Sequence, residues 1–265
     1  MINLIRADLY KLSKMLIVKI SVLLCFASAI GMAIILRGVH TGTFDTTTST
    51  NASLLVDIML VSLLGAIITG SFISDDFESK NVHSEIACGR GRFAIVISKT
   101  ITYAIIIILI TLPYALVAII GYASGTAFAP LVGIPSPFFA VLSGATDLAP
   151  NGANIAKSIL ICVMIIYLYI ARLSICLPIA FKVRKNIPVI VVGFLTAFVF
   201  DIILALSANI KGLSDFVNNL PYAFTLKMTL DASSTTILKA FLCSTAFIIV
   251  MVNSSYNLFR KDEIK

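Results

Sequence analysis

Residues 100–123 read TITYAIIIILITLPYALVAIIGYA. This stretch holds no charged residue, and its centre, from Ile105 to Ile110, is apolar on every side. A bilayer core about 30 Å thick needs about 20 apolar residues of helix to cross it. Hydrocarbon offers no partner to a free N–H or C=O group, and the alternation of a barrel strand is absent. The stretch therefore predicts a membrane-spanning helix.

The same pattern recurs along the chain. The hydrophobic fraction is 59% and only 12% of the 265 residues are charged, about half the charged share of an average soluble domain. These values exclude a soluble enzyme, a disordered chain and a disulfide-built secreted domain. The sequence predicts an all-α membrane protein, a single transmembrane domain over residues 1–265. Its six apolar runs are 15–36, 53–74, 100–123, 158–180, 187–208 and 235–258.

Positive charge is unevenly divided between the two sides that six spans define. We set aside the four cations within or at the edge of a run. With the N-terminus inside, thirteen of the remaining Lys and Arg residues lie on the inner side and three on the outer side. Cytoplasmic segments of membrane proteins carry an excess of Lys and Arg. Both termini are therefore predicted to be cytoplasmic, and the net charge of +7 requires no nucleic-acid partner.

The segments outside the runs differ in character. Residues 1–14 carry four apolar side chains at helical spacing, which predicts a helix lying on the inner membrane surface. Residues 124–157 contain four prolines and several apolar pieces, which fit either an ordered outer cap or a segment dipping partly into the bilayer. Residues 209–234 are semi-apolar and predict short interfacial helices near the outer mouth.

The inner segment between the second and third runs is the most informative. It reads DDFESKNVHSEIACGRGR over residues 75–92. Residues 76–88 carry charged and apolar positions in the manner of a short amphipathic helix, which Gly89 and Gly91 end. A short charged helix held between two spans suits the docking of a cytoplasmic partner. An ordinary solvated connection has the same composition.

Several motifs coincide in this chain. Asp76-Phe77-Glu78 is followed by Arg92 and, seven residues later, by Lys99, while residues 7–12 read ADLYKL. At these positions in a six-span chain, the motifs resemble those of ABC-2-type transporter permeases. The resemblance is to the small permeases of peptide, bacteriocin or antibiotic export and immunity.

Two positions depart from the pattern of that family. Lys80-Asn81 stands where Gly-Thr is common, and Gly89 stands where Pro is common. These departures concern the geometry of the turn and leave the placement of the motif in the chain unchanged.

The resemblance implies an architecture and a function. Residues 76–88 would be the coupling helix, seated in a groove of a separate ATP-binding-cassette ATPase, and residues 1–14 an interfacial elbow helix. Residues 209–234 would hold the outer gate helices. Two ATPase copies would bind ATP and Mg, and a second permease subunit, identical or a paralogue, would complete the path for an amphipathic or hydrophobic cargo. Such a protein is a multi-pass protein of the bacterial plasma membrane.

The residues expected to couple the chain to the ATPase lie in the same inner loop. They are Asp76, Phe77, Glu78, Val82, His83, Glu85, Ile86, Arg90 and Arg92.

Ionisable side chains inside the runs are a second set of candidates, because such groups are costly in hydrocarbon and often functional. Asp57 and Lys239 each lie four residues from the outer end of a run, which predicts a structural ion pair. Asp201 lies deeper and is expected to pair with Lys157 or Arg172, in preference to contacting a cationic substrate. Arg172 is close enough to the inner end to reach toward the headgroups.

The chain carries no sequence pattern typical of an enzyme. It lacks a G-x-x-x-x-G-K-[ST] phosphate loop, an H-E-x-x-H motif and a cysteine pair with metal-ligand spacing. We therefore expect no catalytic, cofactor or metal residues here, and ATP hydrolysis in a partner subunit. An ATPase-independent secondary transporter or channel is the alternative, which inverted repeats and a central charge relay would favour.

Overall fold

The computed structural model describes residues 2–52, 55–131, 136–144, 150–207 and 217–261. Over these ranges the chain is helical and contains no strand. Within the described ranges, six helices are long and apolar enough to cross a membrane, as predicted, and are called the first to sixth spans. They are Leu16–His40, Asp57–Glu78, Arg92–Ala123, Gly152–Val183, Asn186–Leu204 and Ser234–Arg260.

The spans extend beyond most of the apolar runs that predicted them. The third begins at Arg92 instead of residue 100, and the fourth begins at Gly152 instead of residue 158. Helical hydrogen bonds continue into polar turns, which hydropathy does not mark. The second span begins at Asp57, and residues 53, 54 and 208 of the predicted runs lie outside the described residues.

Shorter helices flank or connect the spans. The N-terminal helix, predicted over 1–14, is amphipathic, with Leu4, Asp8 and Leu12 buried. In the described part of the chain the short helices are Ile2–Lys14, Thr46–Asn51, Asn81–Ala87, Pro137–Ser143 and Pro221–Lys227.

The N-terminal helix and the end of the sixth span lie at the same end of the helix bundle, which we call the proximal end. The Nη1 atom of Arg92 donates to the carbonyl oxygens of Phe259 and Arg260 at 3.1 and 2.7 Å. The N-terminal helix packs on the third span. The start of the third span and the end of the sixth therefore lie beside the N-terminal helix. The opposite end of the bundle is called the distal end.

The second span begins deep inside the bundle. The Ser28 hydroxyl, halfway along the first span, donates to the carbonyl oxygen of Leu55 at 2.6 Å and contacts the Tyr114 hydroxyl at 2.8 Å. Ser28 lies twelve residues from Leu16, which is about 18 Å at the helical rise of 1.5 Å per residue. The neighbouring Asp57 therefore lies near mid-depth of the first span.

Two spans contain interruptions of the regular α-helix. Residues Gly70–Ser74 of the second span form a π-helical turn, where a Cβ on Gly70 would lie 2.5 Å from Asn186 Oδ1. The fourth span breaks at residues 174–175 between its two helices. The ring of Pro178 opposes the carbonyl four residues earlier, that of Ser174, and so favours a break at this point.

Two distal segments are buried between the spans. The helix Pro137–Ser143 packs on the third and fourth spans, and Phe138 and Phe139 within it are buried. The helix Pro221–Lys227 also packs on the fourth span and is buried from Pro221 to Thr225. The described part of 124–157 thus forms an inserted segment, and the described part of 209–234 contains a short helix that packs inside the bundle.

Candidate functional site: a lysine–aspartate network at the proximal end

Lys99 of the third span is the centre of a buried ionic cluster. Its amine contacts Asp8 Oδ1 and Asp76 Oδ2, both at 2.6 Å. Lys99 is 1% exposed, Asp8 4% and Asp76 2%. The Ser98 hydroxyl donates to the second oxygen of Asp8 at 2.8 Å. One amine therefore joins the N-terminal helix to the end of the second span.

Asp76 is the acceptor that three separate elements share. Its Oδ1 atom pairs with the Lys11 amine of the N-terminal helix and accepts from the Asn81 amide at 3.1 Å. Its Oδ2 atom pairs with Lys99 of the third span. The four residues Asp8, Lys11, Asp76 and Lys99 are called the lysine–aspartate network below.

The network is electrically balanced, since it holds two amines and two carboxylates. The Phe72 ring faces both amines, with its centroid 4.7 Å from Lys99 Nζ and 5.9 Å from Lys11 Nζ. Removing one partner from a buried ion pair leaves an uncompensated charge, which costs about 3–5 kcal/mol. The network therefore stabilises one relative placement of its three elements.

Glu85 lies close to the network without joining it. Its Oε2 atom is buried and has no hydrogen-bond partner. Burial raises the pKa of the Glu85 carboxyl, and attraction to Lys99 only partly offsets this effect. Asp8 and Asp76 raise the pKa further, because their negative charges repel the ionised form.

Phe77 and Glu78 connect the same motif to the other spans. Phe77 packs edge-on against Phe181 of the fourth span and Phe259 of the sixth, at centroid distances of 5.5 and 5.8 Å. Glu78 Oε1 accepts from the backbone N–H of Asn186 at 2.9 Å. An acidic side chain at the start of a helix satisfies a free N–H and favours the helix dipole. Residues 76–78, at the end of the second span, thus contact the third, fourth, fifth and sixth spans.

The loop after Glu78 differs from the predicted single helix over 76–88. The chain forms a first helix ending at Glu78 and a second over Asn81–Ala87. Between them Lys80 has φ 58°, in the left-handed region that favours glycine. The amphipathic pattern alone does not reveal this turn. Lys80 is one of the positions at which the chain departs from the resembled family, where glycine is common.

The predicted ATPase-coupling residues fall into three classes: buried, exposed and half-buried. Asp76, Phe77 and Val82 are buried at 2%, 8% and 1% exposure, so their side chains do not lie on the surface of this chain, and their part in coupling stays a prediction. Their side chains pack inside the chain because the loop folds back on the spans. Glu78 and Arg90 are exposed, whereas four are half-buried: His83, Glu85, Ile86 and Arg92.

The exposed side chains of the loop after Glu78 are together called the loop surface below. It presents small and polar side chains together with two cations. Its residues are Ser79, Lys80, Asn81, Ser84, Ala87, Cys88 and Arg90.

Sequence reasoning did not identify Asp8, Lys11 and Lys99 as site residues. They belonged to motifs, but their meeting point depends on how the N-terminal helix lies across the third span. The position of Asp8 within the apolar stripe of the N-terminal helix is the one local signal in the sequence that points to this cluster. An acidic residue on the apolar face of a surface helix needs a cation nearby.

The predicted ion pair between Asp57 and Lys239 is absent. Asp57 is fully buried and accepts from the Ser136 hydroxyl, the Tyr169 hydroxyl at 3.0 Å and the Phe138 N–H at 3.5 Å. Lys239 is exposed on the sixth span. Counting residues from the ends of the apolar runs had placed Asp57 and Lys239 at the same depth in the membrane. The second span begins deeper in the bundle than its apolar run suggests, so Asp57 lies deeper than that count implied.

Arg172 pairs with Asp201, which is one of the two pairings expected for that carboxylate. The Arg172 side chain is fully buried and does not reach the headgroups, which corrects that expectation. Its guanidinium lies 4.8 Å from the centroid of Tyr222, whose hydroxyl donates to the Arg172 carbonyl at 3.0 Å. Asp201 remains 26% exposed on the fifth span.

Other chemistry is not evident among the described residues. No group of three His, Cys, Asp or Glu side chains there could hold a metal ion. The five cysteines are free thiols, with Cys88 exposed and Cys25, Cys162 and Cys176 buried. Compared with known proteins, the chain matches no family model and no curated sequence.

Proposed function

We propose that this chain is the membrane permease subunit of an ATP-driven exporter. In this proposal the six spans line a path for an amphipathic or hydrophobic cargo such as a peptide toxin, bacteriocin or antibiotic. A separate ATPase binds ATP and Mg at the proximal end and supplies the energy. The proximal end faces the cytoplasm of a bacterium, consistent with the excess of Lys and Arg on that side.

The observation that carries the proposal is the position of Asp76. This carboxylate is bonded to the N-terminal helix through Lys11, to the third span through Lys99 and to the loop through Asn81. A displacement of the loop must therefore move all three elements or break a buried ion pair. A rigid connection of this kind is what a membrane subunit needs to convert movement of a partner into movement of its spans.

The neighbouring contacts extend the connection across the bundle. Phe77 contacts the fourth and sixth spans, and Glu78 contacts the start of the fifth. Force applied to the loop surface thus has a short route through packed side chains to five spans. We infer that the loop surface is the docking area for the ATPase and that the buried residues 76–78 transmit the movement.

A second permease subunit is part of the same proposal. The fifth and sixth spans are the least covered by the rest of the chain. The exposed side of Asp201 lies on the fifth span, about 22 Å from Asn186 along the helix. A carboxylate is costly against hydrocarbon, so we propose that this side faces a path shared with a second subunit.

Co-purification tests the proposal. The tagged chain is expressed with Walker-motif ATPases from its own genome, beginning with those encoded beside it. Ser84→Arg places a bulky cation at the centre of the loop surface, and we expect it to abolish capture of the ATPase. Thr50→Arg makes the same change at an exposed distal position and should leave capture intact. Failure of the unmodified chain to capture any such ATPase would contradict the proposal.

The intramembrane pair Arg172–Asp201 favours a second candidate, a transporter that works without an ATPase. Buried ionisable pairs near mid-span are typical of ion-coupled transport. Transport measured in reconstituted vesicles distinguishes the two functions. A coupled secondary transporter moves cargo under an ion gradient alone, whereas the proposed permease requires ATP and the partner ATPase.

A further inference from the structure

An apolar groove runs along the distal half of the molecule, between the first and third spans. It encloses about 440 Å³. Phe26, Ile30 and Ile34 form one wall, and Leu116 and Ile120 form the other. Arg37 is the one charged residue among those that line it.

The groove has the length of one bilayer leaflet. Phe26 and Arg37 are eleven residues apart on a continuous helix, which is about 16 Å at 1.5 Å per residue. Half of a 30 Å hydrocarbon core is about 15 Å. Arg37 also lies about 32 Å from Leu16 along the first span, so it reaches the distal boundary of the core. The apolar walls therefore span the distal leaflet and end at the level of its headgroups.

Arg37 has no partner in the described part of the chain. Its side chain is exposed and makes no hydrogen bond or ion pair there. Guanidinium groups bind phosphate through paired hydrogen bonds, which are stronger than bonds between neutral groups. A single cation above an apolar groove thus complements a molecule with an anionic head and a hydrocarbon tail.

The groove is built by packing that holds its walls in place. At its distal end, a Cβ on Gly121 would lie 2.2 Å from Leu142 Cδ1, so the third span approaches the inserted helix Pro137–Ser143 as closely as glycine permits. The aromatic ring of Phe128 also lines this end. A preformed apolar groove can take up an acyl chain without first separating the spans.

We propose that this groove binds an anionic phospholipid of the distal leaflet. One acyl chain lies between the first and third spans, and the phosphate group rests on Arg37. This inference does not depend on an ATPase partner or on the identity of the exported cargo. It predicts selectivity for phosphatidylglycerol over phosphatidylcholine with the same acyl chains.

Native mass spectrometry of the full chain tests the selectivity. The chain is released from mixed micelles containing equal amounts of the two lipids, and retained lipids are counted. We expect phosphatidylglycerol to be retained preferentially and Arg37→Gln to reduce its retention about tenfold, the effect of losing a charge-assisted bond. Lys239→Gln removes an exposed cation on the sixth span and should leave retention unchanged.

A second variant tests the groove itself. Ala33→Phe introduces a ring where a small side chain lines the groove and should reduce the retention of both lipids. Thermal unfolding verifies that this variant remains folded, and the Arg37→Gln comparison is decisive if it does not. Equal retention of the two lipids by the unmodified chain would overturn the proposal. The proposal would also be overturned if the unmodified chain is a dimer that Ala33→Phe dissociates without changing phosphatidylglycerol retention. A second copy of the chain, and not a lipid, would then fill the groove.

Discussion

Lys99 and Asp76 are 23 residues apart and form a buried ion pair at 2.6 Å. The pair joins the third span to the end of the second at the point where the connecting loop begins. Asp8 shares the same amine and Lys11 shares the same carboxylate, so the N-terminal helix is tied to both. This arrangement makes the proximal end a single mechanical unit.

Lys99→Met should be strongly destabilising. The substitution leaves Asp8 and Asp76 buried and removes the cation that both share, at a cost of about 3–5 kcal/mol. Thermal unfolding in detergent measures the loss. Adding Asp8→Asn to Lys99→Met removes one of the unpaired carboxylates, so the double variant should be more stable than the sum of the two single effects. Simple additivity would show that the contacts contribute independently.

Lys80→Gly should stabilise the chain. Lys80 has φ 58°, and a side chain in this left-handed conformation costs about 1–2 kcal/mol. The greater freedom of glycine in the unfolded chain offsets part of the gain, so we expect a net stabilisation of about 1 kcal/mol. Ser79→Gly is the matched control, because Ser79 has φ −79° and gains nothing from glycine. A destabilised Lys80→Gly variant would contradict the turn geometry.

Glu85 should make stability depend on pH. Its pKa is raised in the folded chain above the ordinary 4.5, with burial as the main cause. The folded state then holds a proton that the unfolded state releases, and this contribution to stability is complete below pH 4.5. It is lost as the pH rises through the folded pKa. Glu85→Gln should remove this part of the pH dependence of the unfolding temperature. Identical pH profiles for the two proteins would refute the assignment.

Asp57 and Lys239 should act independently. Asp57→Ala leaves three buried donors without their acceptor, and each such group costs about 1–3 kcal/mol. Lys239→Met changes an exposed side chain and should alter stability by less than about 0.5 kcal/mol. The double variant should show the sum of the two effects, measured by thermal unfolding. A coupling energy between the two substitutions well above about 0.5 kcal/mol would instead support an ion pair between Asp57 and Lys239.

The number of spans could be predicted from the sequence because a bilayer imposes length and hydropathy on each crossing separately. The amphipathic N-terminal helix was predicted for a similar reason, since its pattern is local. Contacts between elements were harder to predict from the sequence. Asp57 and Lys239 were matched by counting from run ends, which fails when a span begins inside the bundle.

The connecting loop could be located from the sequence, but the direction in which its side chains point could not. Residues 76–92 contain the connecting loop, yet Asp76, Phe77 and Val82 point inward. Periodicity identifies an apolar face without showing whether the chain itself or a partner covers it. The left-handed turn at Lys80 also escaped prediction, because lysine rarely adopts that conformation.

Cross-linking from Cys88 is the measurement that tests the central claim most directly. This thiol is exposed on the loop surface, whereas Cys25, Cys162 and Cys176 are buried. With Cys243 replaced by Ser, a short reagent with a maleimide at one end and a photoreactive diazirine at the other is attached to Cys88 in ATPase-containing membranes, and illumination should link it to the ATPase without requiring a thiol on that partner. Cys88→Ser should abolish the product. If Cys88 reacts fully with a maleimide from the cytoplasmic side yet forms no adduct with any ATPase, the loop surface is not a docking site for one.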